Sequence, residues 1–212
     1  MIKFFELYGE RLWSAVLTHL AYVLVSVSIA FVVALTLGVL FSRVPKWANI
    51  IIPILSVFQT VPGIVFVGVL FLYTGMVPKT VIIALSIYAI FPILKNTYMG
   101  IIEVPAQYKE AARGCGMSAI QVLVKVELPL ATASIISGLR MSTVYTVSWA
   151  VLAAMIGLGG LGELIYAGIS SNNSMLIFGG AIPSAIMAVV LSQAIDLLRK
   201  ALIPKALRRD SK

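Results

Sequence analysis

Two stretches without a charged residue, Leu20 to Phe41 and Ile50 to Tyr73, run for 22 and 24 positions. A helix that crosses a membrane needs roughly 20 mostly apolar residues, because it must satisfy its backbone hydrogen bonds internally over about 30 Å of hydrocarbon. Both stretches therefore read as spans. Composition agrees: 60% of the 212 residues are hydrophobic and 11% charged, against roughly a quarter charged in soluble domains. An all-α integral membrane protein is the expected class.

Three further spans follow from the same criterion. The uncharged run between Lys79 and Lys95 is 15 residues, long enough only if the span starts near Met76 and Lys79 reaches to the interface. A fourth span is expected from about Leu130 to Ile156 and a fifth from about Leu176 to Leu198. Lys95 and Asn96 are read as anchors that close the third span. Five spans result, and basic residues orient them. Arg43 and Lys46 follow span one, and Lys95, Lys109, Arg113 and Lys125 follow span three. The C-terminus carries Arg199, Lys200, Lys205, Arg208, Arg209 and Lys212. These segments are expected in the cytoplasm and the N-terminus outside. The tail suits anionic membrane lipid rather than nucleic acid, since the +8 charge is not interleaved with aromatic residues on a soluble face.

Residues 2 to 20 place Phe5, Tyr8, Leu12, Val16 and Leu20 at helical spacing, with Lys3, Glu6, Glu10 and Ser14 on another face. Two readings remain open: an amphipathic helix on the outer interface, or an extension of the first span. The first run is too long for the apolar part of a signal peptide, so the N-terminus is expected to be retained. The organisation is thus an N-terminal segment over 1–19, a transmembrane domain over 20–198 with a polar loop at about 96–128, and a basic tail over 199–212. The single cysteine, Cys115, excludes an internal disulfide and a multi-cysteine metal site. No metal or cofactor is expected on this chain.

The polar loop is the most specific segment. Pro105 suits a helix start, and a helix from Pro105 to about Cys115 puts Tyr108, Ala111, Ala112 and Cys115 on one face. Gly114 and Gly116 permit a turn, Ser118 with Gln121 makes a capping box, and Pro129 bends the next helix as it enters the fourth span. Within this loop Glu110-Ala111-Ala112 is followed by three residues, Gly116, nine residues and Val126-Glu127-Leu128-Pro129. The pattern resembles the ATPase-docking signature of the membrane subunits of binding-protein-dependent ABC importers, with Val126 in place of the usual Ile. Gln59-Thr60-Val61-Pro62-Gly63, Pro92 to Tyr98, Glu127 to Ala131, Gly157 to Gly162 and Gly180 to Ala185 resemble the glycine betaine, carnitine and choline branch.

The resemblance implies the type I (MetI-like) permease fold in a bacterial cytoplasmic membrane. It also implies two permease subunits, identical or related, two cytoplasmic ATPases that hold ATP and magnesium, and an extracytoplasmic solute-binding protein. The chain has no Gly-x-x-x-x-Gly-Lys-Ser/Thr loop of its own, so it is expected to be a non-catalytic transport subunit. Tyr108, Glu110, Ala111, Ala112 and Gly116 are the implied coupling residues.

Candidate pathway residues are Gln59, Thr60, Pro62, Arg140, Tyr145 and Trp149. Gln59 to Gly63 interrupt the second span with polar and helix-perturbing residues, as a gate or as a close helix contact. Arg140 lies deep in the fourth span, where a charge costs at least about 2.5 kcal/mol. It either pairs structurally, for instance with a carbonyl or Asp196, or serves the pathway. Tyr145 and Trp149 share a face and suit a quaternary ammonium ion; packing is the other reading. His19 is read as structural, and the Gly157, Gly159, Gly162 run as a loop or close packing rather than a dinucleotide fingerprint. The rivals are a permease for another small solute such as an amino acid, and an ATP-independent carrier or channel subunit.

Overall fold

The structure, a computed structural model, describes residues 2–153 and 157–202. It is all-helical over that range: α1 Ile2–Arg43, α2 Pro45–Phe58, α3 Gly63–Thr74, α4 Pro78–Ile102, α5 Ala106–Gly114, α6 Ala119–Val122, a π turn Leu123–Glu127, α7 Leu128–Ala153, α8 Leu161–Ser170 and α9 Ser174–Leu202. Among the described residues four helices are long and apolar enough to cross a membrane, and five if α2 and α3 form one broken span. The predicted end of the fourth span at Ile156, and Lys205, Arg208, Arg209 and Lys212 of the tail, lie outside the described residues.

Helix α4 is the axis of the bundle. Its two ends and its middle carry buried residues from Thr80 to Ile101, and α1 and α7 pack on either side of it. Lipid tails are as apolar as leucine, so this packing is driven by close van der Waals contact, not by water exclusion. Small residues make the approach possible. A Cβ on Gly138 of α7 would sit 2.9 Å from the Pro92 carbonyl of α4, and one on Gly180 of α9 would sit 2.6 Å from the Leu161 carbonyl of α8.

One expectation about the spans is corrected, and the open choice for the N-terminal segment is decided. The third span does not close at Lys95 and Asn96 but continues to Ile102, because Thr97, Tyr98, Gly100 and Ile101 are buried in the bundle. Residues 2–20 and the first apolar run form one unbroken helix. The N-terminal half of that helix is not bare at an interface: Tyr8, Leu12, Ala15 and Val16 pack against Leu161, Leu164 and Leu176 of α8 and α9. Helix α8 was not anticipated; its apolar positions are too few for a span, and it begins after Gly160, at φ 86°. His19 ties these parts together, fully buried, with Nε2 3.0 Å from the Val147 carbonyl and Nδ1 accepting from the Leu161 N–H at 3.3 Å.

The second span is the largest departure from a straight rod. Its halves α2 and α3 are bent by 93° at Gln59–Pro62. Pro62 opens α3 as its N-cap, and a residue before proline is driven out of helical geometry. The bend is held from α4. Pro92 has no N–H, so it cannot bond the Tyr88 carbonyl one turn earlier. Gln59 Nε2 donates to that carbonyl at 2.9 Å, while the Tyr88 hydroxyl donates to the Val61 carbonyl at 2.8 Å.

This reciprocity has a measurable signature. Gln59→Leu should lower thermal stability in detergent by about 1–3 kcal/mol, the cost of a buried carbonyl left unpaired. In a Pro92→Ala background, where α4 supplies its own N–H, the same substitution should cost much less.

Candidate functional site

The α5 end of the bundle is the first candidate. Pro105 is the N-cap of α5 and not a residue of its first turn, since Ala106 is the first helical residue. Cys115 closes the helix, and Gly116 follows at φ 80°, in the left-handed region that favours glycine. Ser118 and Gln121 form the expected capping box, with the Gln121 N–H donating to Ser118 Oγ and the Ser118 N–H donating to Gln121 Oε1. The π turn comes immediately before Leu128–Pro129, where Pro129 lacks the N–H that an α-helical turn would use.

The face of α5 is not the one that spacing suggested. Tyr108, Glu110 and Ala111 are exposed, as is Gly116, but Ala112 is only 7% exposed and faces its own chain. Successive helical residues are rotated by about 100°, which puts Gln107, Glu110, Ala111 and Gly114 outward and turns Ala112 inward with Lys109. The outward surface is therefore built on Glu110 and Ala111, with Tyr108 at its edge. Beneath α5 lies a cavity of about 330 Å³ bordered by Arg43, Lys109, Glu110, Arg113 and Glu127.

A second candidate lies on α7. Ser137, Arg140, Met141, Tyr145 and Ser148 are exposed at three- and four-residue intervals, so they form one stripe. Arg140 Nε donates to Ser192 Oγ at 2.7 Å and lies 3.4 Å from Asp196 Oδ2 on α9. The arginine side chain is 50% exposed, beside a cavity of about 400 Å³ that Tyr145 and Asp196 also line. Pairing and exposure thus coexist at Arg140.

The remaining candidates are distributed between the stripe and the bend. Tyr145 and Trp149 do meet, with ring centroids 6.0 Å apart. Trp149, however, is half-buried and stacks edge-on against Tyr88 at 4.7 Å, in an aromatic cluster with Phe58 and Phe66. Gln59 is a clamp on Tyr88, so the close-contact reading describes it. Thr60 and Pro62 are exposed at the bend, and Thr60 Oγ1 donates back to the Val57 carbonyl at 2.7 Å. Sequence reasoning missed the pair Arg43–Glu127, in which Arg43 Nη1 donates to Glu127 Oε1 at 3.2 Å and Nη2 donates to Oε2. Arg43 had been counted only as an orienting charge.

Comparison with known proteins fits this geometry. Residues 26–208 match the family described as binding-protein-dependent transport system inner membrane component. The chain is 40% identical to the carnitine transport permease protein OpuCB of Listeria monocytogenes over 98% of this chain and 95% of that protein. It is 35% identical to the choline transport system permease protein OpuBB of Bacillus subtilis (strain 168) over 99% and 96%. In three dimensions it is similar to a chain of the inward-facing MetNI methionine ABC transporter, with a TM-score of 0.84, 22% identity and coverage of 94% and 99%.

The inward and outward sides of α5 can be told apart by mutation. Ala112→Leu should destabilise the isolated chain by about 1–3 kcal/mol through overpacking, whereas Ala111→Leu, on the exposed side, should change thermal stability by less than about 0.5 kcal/mol.

Proposed function

This chain belongs to the binding-protein-dependent transport system inner membrane component family, and on that premise we propose that it is the permease subunit of an ATP-driven importer for quaternary-ammonium solutes such as glycine betaine, carnitine and choline. The observation that carries the reading is the exposed Glu110–Ala111 face of α5, set on a short helix that continues through α6 and the π turn into a spanning helix. Such an element presents a surface to a soluble partner and joins it to the bundle. Relatives named for carnitine and choline transport, matched along nearly their full length, support the cargo class.

In the proposed assembly two cytoplasmic ATPases bind ATP with magnesium and dock on α5, a second permease chain completes the passage, and a binding protein delivers solute from outside. The N-terminus lies outside and the basic tail in the cytoplasm, against anionic lipid. Nucleotide closure favours one of two conformations of the bundle, and solute release favours the other; that differential is what couples them.

The passage runs along the α7 stripe. A half-exposed Arg140–Asp196 pair between two helices long and apolar enough to span a membrane is costly against lipid and acceptable against water or protein. The second permease chain therefore covers this side. Tyr145 offers an aromatic face to a trimethylammonium group, and Arg140 offers a counter-charge to a carboxylate. No tight cage is needed, since a transit site must release its cargo.

The test is uptake by proteoliposomes carrying the full assembly. ATP-dependent accumulation of glycine betaine, carnitine or choline, exceeding that of methionine, is the expected result; equal uptake without the ATPase would sink the reading. Glu110→Lys with Gly116→Arg should abolish ATPase copurification. With Cys115 replaced by serine, a cysteine at Ser137 or Ser148 should react with a water-soluble thiol reagent, and one at the exposed Val32 of α1 should not.

A further inference from the structure

We propose that Arg43 and Glu127 form the tether through which displacement of α5 reaches α1, making them a positioning pair for the transport cycle; this rests on the reading of α5 as the ATPase contact. Glu127 ends the π turn and its side chain is 3% exposed. Arg43 ends α1, and its cation also suits the negative end of that helix. The contact is bidentate, one N–H to each carboxylate oxygen, the geometry that gives a charged pair both direction and strength.

Beside the pair the contact between these elements is of another kind, and the next polar link from α1 to α7, His19 to the Val147 carbonyl, lies 24 and 20 residues further along the two helices. Next to it, Phe31, Leu35 and Val39 of α1 and Leu128, Ala131 and Ile135 of α7 share an apolar cluster with Ile101 of α4. Apolar contact is non-directional, so these surfaces hold the helices together while letting them slide. A buried carboxylate cannot follow that course, because separation from its partner leaves a charge without compensation.

The π turn gives the tether its purpose. Turns of this sort interrupt the regular α-helical ladder and recur at functional sites, so a push on α5 that travelled only along the backbone would have to cross that interruption. With Glu127 fixed to Arg43, the far side of the turn is held to α1. The cavity of about 330 Å³ between this pair and the α5 residues Lys109, Glu110 and Arg113 leaves α5 room to move against it.

The experiment uses the complete assembly in nanodiscs, with Glu127→Gln, Arg43→Gln and the exchange Arg43→Glu with Glu127→Arg. Both single variants should retain ATPase subunits and basal hydrolysis, yet transport about 5- to 100-fold less solute per ATP. The exchange should recover most of that loss. A nitroxide on Cys115, the single cysteine and exposed beside α5, should report a more mobile loop in the single variants and wild-type mobility in the exchange. A merely structural pair would lower yield and stability but leave solute per ATP unchanged, and that result overturns the proposal. So does an exchange that assembles but transports no better than the single variants. If neither single variant assembles, Arg43→Lys decides by the same ratio, since it keeps the charge and loses the bidentate contact. Absence of ATP-dependent uptake in the wild-type assembly would instead refute the transport reading itself.

Discussion

The carbonyl of Tyr88 organises this bundle. A proline in the middle of a buried helix deprives that carbonyl of its partner, and hydrocarbon supplies no substitute. Gln59 supplies one from the second span. Once the side chain is there, the second span has to bend beside it, and the bend in turn has a free carbonyl at Val61 that the Tyr88 hydroxyl satisfies. The ring of the same residue packs on Phe58 and Phe66 from the bent span and on Trp149 from α7. One residue therefore joins the broken span, the axis of the bundle and the helix that carries the polar stripe.

Much of this was legible in the amino-acid order, and the illegible part has a common cause. Span number and class follow from uncharged length, which reports a property of each segment alone. The capping box at Ser118 and Gln121 and the turn at Gly116 are also local, and they appear where spacing puts them. The depth of the break at Gln59–Pro62 depends on a residue 29 positions away, so the sequence around it showed the interruption without the angle. Ala112 and Ala111 differ by a single helical step, and which of them is buried is decided by tertiary packing that no local pattern reports. The Arg43–Glu127 pair spans 84 positions and was invisible for the same reason. Arg140 with Asp196 was foreseen because a deep charge restricts its partners to very few.

The two candidate surfaces differ in what they ask of a partner. The α5 surface is small, polar and helical, and its C-terminal end is closed by backbone bonds, with the Cys115 N–H donating to the Ala111 carbonyl and the Met117 N–H to that of Ala112. The α7 stripe is less complete: among the described residues nothing covers half of the Arg140 side chain. In the proposed assembly a single subunit carries the ATPase contact at one end and half of the passage along its α7 stripe. The likeness to a methionine transporter chain at 22% identity concerns the scaffold, on which the side chains of the stripe can vary without altering the helices behind them.

The unbroken first helix adds a geometric consequence. At about 1.5 Å per residue its 42 residues measure about 63 Å, roughly twice the hydrocarbon thickness. His19 is gripped on the α8 side and Arg43 is gripped beside the π turn. An unbroken helix held at two points cannot rock at one without swinging at the other, and a tilt of about 10° would carry its tips about 11 Å relative to each other. Displacement at one end of such a helix reaches the other through its own backbone.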